Sequence, residues 1–216
     1  MRLLILLPLL LTAHEPITTK LTWTQEISRI VYKRCASCHG EKSNIPLVSY
    51  DDARPWAKAI REEVLERRMP PWGAVKGFGE FRDDPSLSQS EIDRIVNWVE
   101  GGAPKGDDIY LPSLPVPPKA KPARLTRGMT VRRKFTVGQG VTATGIRPTE
   151  IPEGGWVQVT AAFPDGAVHN LIWLKDWRKA WMRTYFFREP VWLPKGTTVN
   201  VYSDGPVAVL LGFAAR

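Results

Sequence analysis

The spacing of apolar residues changes once along this chain of 216 residues, across a segment rich in proline. In residues 20–103, apolar side chains recur every three or four positions, as they do in amphipathic helices. From Leu125 onward, short runs rich in β-branched and aromatic residues alternate with turn-forming sequences, as in antiparallel sheets. We therefore predict an α + β protein of two domains, with an all-α domain over residues 20–108 and an antiparallel β-sandwich over residues 125–216.

Three helices are expected in the N-terminal region. Thr22 and Gln25 have the spacing of a capping box, so a first helix should begin there and lead to Cys35. A second helix is expected over residues 51–68. Ser88 and Glu91 form the clearest capping box, and the apolar residues that follow them share one helical face. Residues 109–124 hold so many prolines that we predict a semi-rigid, extended linker there.

The first residues predict export. Arg2 precedes an apolar run from Leu3 to Leu11, and Ala13 ends a pattern typical of a signal peptide over residues 1–13. The run is shorter than the roughly 20 residues that a membrane helix needs. No later run is longer, so we expect no transmembrane segment in the mature chain and a periplasmic or otherwise exported location.

The formal net charge of +8 is concentrated at the C-terminal end. Residues 125–216 contain 12 Lys or Arg against 6 Asp or Glu. A solvated basic surface explains this surplus, and so does a site for an acidic protein partner or an anionic membrane. No nucleic-acid-binding motif accompanies the charge, so nucleic acid is not an expected partner.

The chain has two cysteines, and they lie in the sequence Cys35-Ala36-Ser37-Cys38-His39. A disulfide or a thioredoxin-like redox pair would explain the cysteines but not the histidine that follows them. The pattern C-x-x-C-H is typical of covalent haem attachment. On one helical turn, two thiols spaced three apart can add to the vinyl groups at one porphyrin edge, and His39 can then bind the iron. We expect one covalent haem c, and a backbone carbonyl, with Pro46 the candidate, to orient the other ring nitrogen of His39.

Met69 is the candidate for the second axial iron ligand. It precedes Pro70 and Pro71, which would end the second helix and hold the methionine in place. A thioether suits iron in an electron-transfer site. The alternative is that Met69 fills a gap in a core. His14 and His169 are weaker ligand candidates, because one lies near the signal peptide and the other in the β domain.

These motifs together resemble a known family. Cys35–His39, Met69–Trp72 and residues 87–104 resemble class I cytochromes c, most of all the exported bacterial kind that is fused to other modules. The resemblance covers about residues 22–108. It implies that residues 20–108 form the cytochrome c haem domain, with Cys35 and Cys38 binding haem and His39 and Met69 as the metal ligands.

A weaker resemblance concerns the β domain. Trp181, Tyr185, Pro190 and residues 193–197 resemble part of the β-sandwich of copper type II, ascorbate-dependent monooxygenases. Those enzymes bind copper through several histidines and a methionine, whereas this domain has the single histidine His169. A copper site needs more strong ligands than that, so the copper ligands do not carry over and His169 is expected to be structural.

Two functions follow from these observations. The favoured one is an electron carrier, not an enzyme, that moves single electrons through a His/Met-ligated haem and docks redox partner proteins with its β module. The alternative is a haem-containing subunit or domain of an oxidoreductase that feeds electrons to a copper or other site in the β domain or in a partner. A haem sensor with an open sixth position is a third, minor possibility.

The attachment motif generates the first prediction. Replacing Cys35 or Cys38 with alanine should weaken covalent haem retention, and the double replacement should abolish it, because no other thiol is present. Haem staining of a denaturing gel measures this. Full staining of the double variant would end the c-type assignment.

Overall fold

The computed structural model describes residues 19–115, 124–125 and 127–214. The predicted signal peptide and much of the predicted linker therefore lie outside the described residues. The chain divides into two units. The first runs to Leu65 and resumes at Leu87–Pro115, while the second combines Glu66–Ser86 with the described residues after Pro115.

The first unit is built from short helices. A wide helical turn, Trp23–Ile27, continues directly into α1, Ser28–Arg34. The Thr22 hydroxyl accepts a hydrogen bond from the Gln25 amide at 3.3 Å. The carboxylate of Glu26, rather than the Gln25 side chain, accepts the bond from the Thr22 amide at 2.8 Å. The remaining helical elements are α2 Tyr50–Ala53, a 3-10 turn Arg54–Trp56, α3 Ala57–Leu65, α4 Gln89–Glu100 and a 3-10 turn Asp108–Tyr110.

The predicted capping box at the start of α4 is confirmed. The Ser88 hydroxyl accepts from the Glu91 amide at 3.2 Å, and the Glu91 carboxylate accepts from the Ser88 amide at 2.7 Å. These bonds satisfy two of the amide groups that a helix leaves unpaired at the start. The buried face of α4 carries Ile92, Ile95 and Trp98.

Two tryptophans lie at the centre of the first unit. Trp23 and Trp98 are almost fully buried, with ring centroids 6.1 Å apart. The indole N–H of Trp98 donates to the Pro104 carbonyl at 3.0 Å, and the Tyr50 hydroxyl donates to the Ala103 carbonyl at the same distance. These bonds fix the segment after α4 against the core. Ile27, Ile30, Val31, Leu47, Val64 and Leu87 are among the other core residues.

The predicted N-terminal all-α cytochrome c domain is wrong. The helices within residues 20–108 are short, residues 66–86 contain none, and that segment belongs to the second unit. The chain is β-rich, with two four-stranded antiparallel sheets. The predicted second helix breaks into α2, a 3-10 turn and α3, which ends at Leu65 instead of residue 68. Prolines explain part of the difference, since Pro55 lies in the 3-10 turn and Pro70 and Pro71 exclude a helix directly after residue 69.

The predicted antiparallel β-structure at the C-terminal end is confirmed. The strands are β1 Gly128–Val131, β2 Lys134–Thr136, β3 Val141–Glu150, β4 Val157–Ala162, β5 Val168–Leu174, β6 Tyr185–Leu193, β7 Thr198–Ser203 and β8 Ala208–Phe213. One sheet has the strand order β1-β8-β3-β6 and the other β2-β7-β4-β5.

A single core fills the second unit and takes side chains from both sheets. Val159 and Leu174 on the β2-β7-β4-β5 sheet are fully buried, as are Ile146 and Leu211 on the other. Burial of apolar side chains between two sheets is the main stabilising contribution in a β-sandwich.

Residues 72–82, which we call the strap, join both sheets at their edges. The Val75 amide donates to the Trp173 carbonyl at 2.8 Å, beside a bridge to β5. The Arg82 amide donates to the Phe186 carbonyl at 2.9 Å, beside a bridge to β6. β5 and β6 are edge strands. The strap therefore satisfies backbone groups that would otherwise be unpaired on one side of the sandwich.

The strap is also part of the β core. Trp72 and Phe81 are 6% and 4% exposed and belong to the core cluster of the second unit. Gly79 has a φ of +87°, and an added Cβ there would lie 2.2 Å from the Leu171 carbonyl oxygen. Only glycine allows this close approach of the strap to β5.

The strap generates a stability prediction. Replacing Phe81 with alanine should lower the free energy of unfolding of the second unit, which we call the β unit, by about 3–5 kcal/mol, as expected for a buried phenylalanine. Urea unfolding of the full chain measures this. Lys76→Ala, an exposed change in the same segment, is the control and should stay within about 0.5 kcal/mol of the wild type. Equal stability of the two variants would show that the strap does not belong to the β core.

Candidate haem-attachment site

The cysteine motif continues α1 by one helical turn. The Cys35 amide donates to the Val31 carbonyl at 2.8 Å. The Cys35 carbonyl in turn accepts from the amides of Cys38 and His39 at 3.0 and 2.9 Å. Side chains three residues apart on such a turn lie on one side of it. Both thiols are free, with Cys35 partly buried and Cys38 exposed.

His39 is oriented by the loop that follows it. Its Nδ1 lies 2.9 Å from the Ile45 carbonyl oxygen. A carbonyl can only accept, so Nδ1 is the donor. In the neutral ring this leaves Nε2 with the free lone pair that a metal ligand needs. The Leu47 amide closes the loop by donating to the His39 carbonyl at 3.0 Å. The prediction of a backbone carbonyl as partner is confirmed, but the residue is Ile45 and not Pro46, because this closure aims the Ile45 carbonyl at the ring.

The environment of Cys35 opposes the formation of a thiolate. Burial, with a smaller contribution from the neighbouring Cys38, raises the pKa of the Cys35 thiol to about 12. The residue also stands at the C-terminal end of α1, where the helix dipole disfavours negative charge. Reactive cysteines of redox C-x-x-C pairs have the opposite setting, with a lowered pKa at a helix N-terminus.

Arg34, the residue before Cys35, is held by an ion pair. Its guanidinium donates to both carboxylate oxygens of Glu91, at 3.0 and 3.1 Å. Burial opposes ionisation of Glu91, but the bonds from Arg34 and Ser88 outweigh it and lower its pKa. Glu91 is also the partner of Ser88 in the capping box of α4. The ion pair therefore connects the end of α1 to the start of α4. No sequence motif pairs Arg34 with Glu91, so this contact could not be predicted from the sequence.

Several large apolar side chains of the first unit are exposed. Ile45, Trp56 and Leu65 are 36%, 44% and 45% exposed. Trp56 is exposed in the 3-10 turn, whereas Val64 of α3 is buried.

Met69 lies in the second unit, four residues after the end of α3. Its side chain is 40% exposed, so it does not fill a core. Arg67, with a φ of +53°, turns the chain between α3 and Met69. Trp72, which follows the two prolines, starts the strap.

His169 and His14 were the weaker ligand candidates. His169 is exposed on β5 and stacks on Phe163, with ring centroids 4.4 Å apart and planes inclined by 15°. His14 lies outside the described residues. Across residues 19–115, 124–125 and 127–214, no three or more His, Cys, Asp or Glu side chains form a group able to bind a metal ion. The helices described also include none with the length and apolar character to cross a membrane.

Comparison of the chain with models of known protein families, with curated proteins and with solved structures found no match. The resemblances to class I cytochromes c and to copper type II monooxygenases therefore depend on the motif residues alone.

The thiol environment generates a prediction for the haem-free chain. In a Cys38→Ser variant, Cys35 should react with iodoacetamide at pH 8 at least about a hundredfold more slowly than in the same variant unfolded in urea, because its raised pKa keeps it protonated. The rate should rise about tenfold per pH unit towards pH 10. Mass spectrometry of quenched samples measures alkylation.

The Cys35→Ser variant, whose remaining thiol Cys38 is exposed, is the control and should react readily in the folded chain. Equal rates for folded and unfolded Cys35 at pH 8 would contradict the buried, protonated thiol.

Proposed function

We propose that this chain is a c-type cytochrome that carries single electrons through one covalently attached haem. The observation that carries the proposal is the orientation of His39. The residue that directly follows the two cysteines has its Nδ1 occupied by the Ile45 carbonyl and its Nε2 free to bind iron.

The residues of the motif fit the attachment chemistry. Cys35 and Cys38 would bind the haem through thioether bonds, and both are free thiols one helical turn apart. His39 would bind the iron from the same turn, with its ring tautomer fixed by a second partner, as in other histidine metal sites. The haem itself supplies an iron that accepts and releases one electron. The protein supplies attachment, orientation and an apolar setting.

A dithiol redox function is less well supported. Such a pair needs one cysteine with a low pKa that can attack a disulfide. The pKa of Cys35 is raised to about 12 instead. That environment favours an unreactive thiol over a redox-active one.

We propose Met69 as the second axial ligand. Its thioether is 40% exposed and thus available to a metal, and the two prolines after it restrict the backbone. A thioether ligand raises the reduction potential of haem iron.

The location and the partners are also proposed. Covalent attachment retains haem in an exported protein, which agrees with the expected signal peptide. Arg132, Arg133 and Lys134 are exposed in the second unit near the turn between β1 and β2. Arg132 pairs with Glu150, and the basic surplus of this unit would favour an acidic redox partner.

The ligand assignment generates the next prediction. The oxidised protein should show the weak far-red band of sulfur bound to ferric haem iron. Met69→Ala should remove the band and lower the reduction potential, because the soft thioether favours the ferrous state. Absorption spectra and a redox titration measure both quantities.

Met182→Ala is a matched control, since Met182 is 41% exposed and lies in the same unit. It should leave both the band and the potential unchanged. An unchanged spectrum and potential in Met69→Ala would show that Met69 is not the ligand.

A further inference from the structure

The segment that carries Met69 is built into the β-sandwich. The strap begins three residues after Met69, and Pro70 and Pro71 are the only residues between Met69 and Trp72. Two prolines have fixed φ angles, so they form a short spacer of low flexibility. Whatever fixes Trp72 therefore restricts Met69 as well.

Trp72 is held by a buried hydroxyl. Tyr185, the first residue of β6, is fully buried and donates a hydrogen bond from its hydroxyl to the Trp72 carbonyl. Burial raises the pKa of that hydroxyl, which keeps it protonated and able to donate. The two rings are in edge contact, with centroids 4.8 Å apart. The guanidinium of Arg183 lies over the Trp72 ring, and its central carbon is 5.4 Å from the ring centroid.

The rest of the strap is fixed at four further backbone positions. The Lys175 amide donates to the Gly73 carbonyl at 3.1 Å, and the Val75 amide returns a bond to the Trp173 carbonyl at 2.8 Å. At the far end of the strap, the Arg82 amide donates to the Phe186 carbonyl at 2.9 Å, and the Arg188 amide donates to the Glu80 carbonyl at 2.8 Å. A strap paired with two edge strands and buried at both ends cannot move without breaking several of these bonds.

From this arrangement we propose that the β unit positions the methionine ligand, with Tyr185 as the positioning residue. The proposal rests on the proposed function, in which Met69 binds the haem iron. The β unit restricts the positions that the Met69 thioether can sample, which lowers the entropy lost when it binds a metal. The β unit then limits the movement of the Met69 side chain, in addition to any role in docking partners.

The test uses the full chain with its haem attached and the variant Tyr185→Phe. This change removes only the hydroxyl, so the aromatic packing remains. Added imidazole competes with Met69 for ferric iron, and loss of the far-red band reports its binding. We expect Tyr185→Phe to bind imidazole about 2- to 10-fold more tightly than the wild type, which corresponds to the net contribution of one hydrogen bond. Covalent haem, measured by staining, should be unchanged.

Tyr202→Phe is the matched control, because Tyr202 is 51% exposed on β7 of the same unit. It should bind imidazole as the wild type does. If Tyr185→Phe also matches the wild type while Met69→Ala removes the band, the positioning role is wrong and the ligand assignment stands. If the wild type and Met69→Ala bind imidazole equally, Met69 is not a ligand, and the proposed ligation and the positioning role both fail.

A second measurement covers the case in which Tyr185→Phe folds poorly. In urea, the far-red band of the wild-type protein should disappear at the same midpoint as the tertiary signal of the β unit, and Phe81→Ala should shift both midpoints down together. A band that persists after the β unit has unfolded would overturn the proposal.

Discussion

The pairing of the strap with two edge strands is the constraint on which the rest of the structure depends. A β-sandwich leaves unpaired amides and carbonyls at its edges, and these must be covered or disrupted. Here residues 72–82 pair with β5 in one sheet and with β6 in the other. The same segment buries Trp72 and Phe81 in the β core. These interactions remove residues 66–86 from the helical part of the chain, which is therefore discontinuous in sequence.

The candidate site combines two different types of control. At the attachment motif, backbone hydrogen bonds set the arrangement. The Cys35 carbonyl accepts from the Cys38 and His39 amides, and the Ile45 carbonyl orients the imidazole of His39. Around it, burial keeps the thiol of Cys35 protonated, and an ion pair joins Arg34 to Glu91. Both agree with the proposed haem attachment better than with a reactive dithiol pair.

Much of the fold could be predicted from local sequence, and the errors have a common cause. Ser88 and Glu91 predicted the start of α4 correctly, because a capping box is satisfied by residues within one turn. The β strands were found because their turns are local too. The all-α N-terminal domain was wrong because the position of residues 66–86 is decided by strand edges about 100 residues away in sequence. Periodicity within the segment contains no information about such pairing. Of the candidate site, Cys35, Cys38 and His39 could be proposed from their spacing, whereas the Ile45 carbonyl could not, because every residue offers the same carbonyl group.

A redox titration of the full chain, matured in a host that attaches c-type haem, tests the central claim most directly when combined with metal analysis. The account predicts one iron per chain, no copper, and an optical change that follows the Nernst equation for one electron, with about 59 mV per tenfold change in the ratio of oxidised to reduced protein. A chain without iron, or one whose redox change is a two-electron step with half that slope and belongs to the thiols of Cys35 and Cys38, would contradict it.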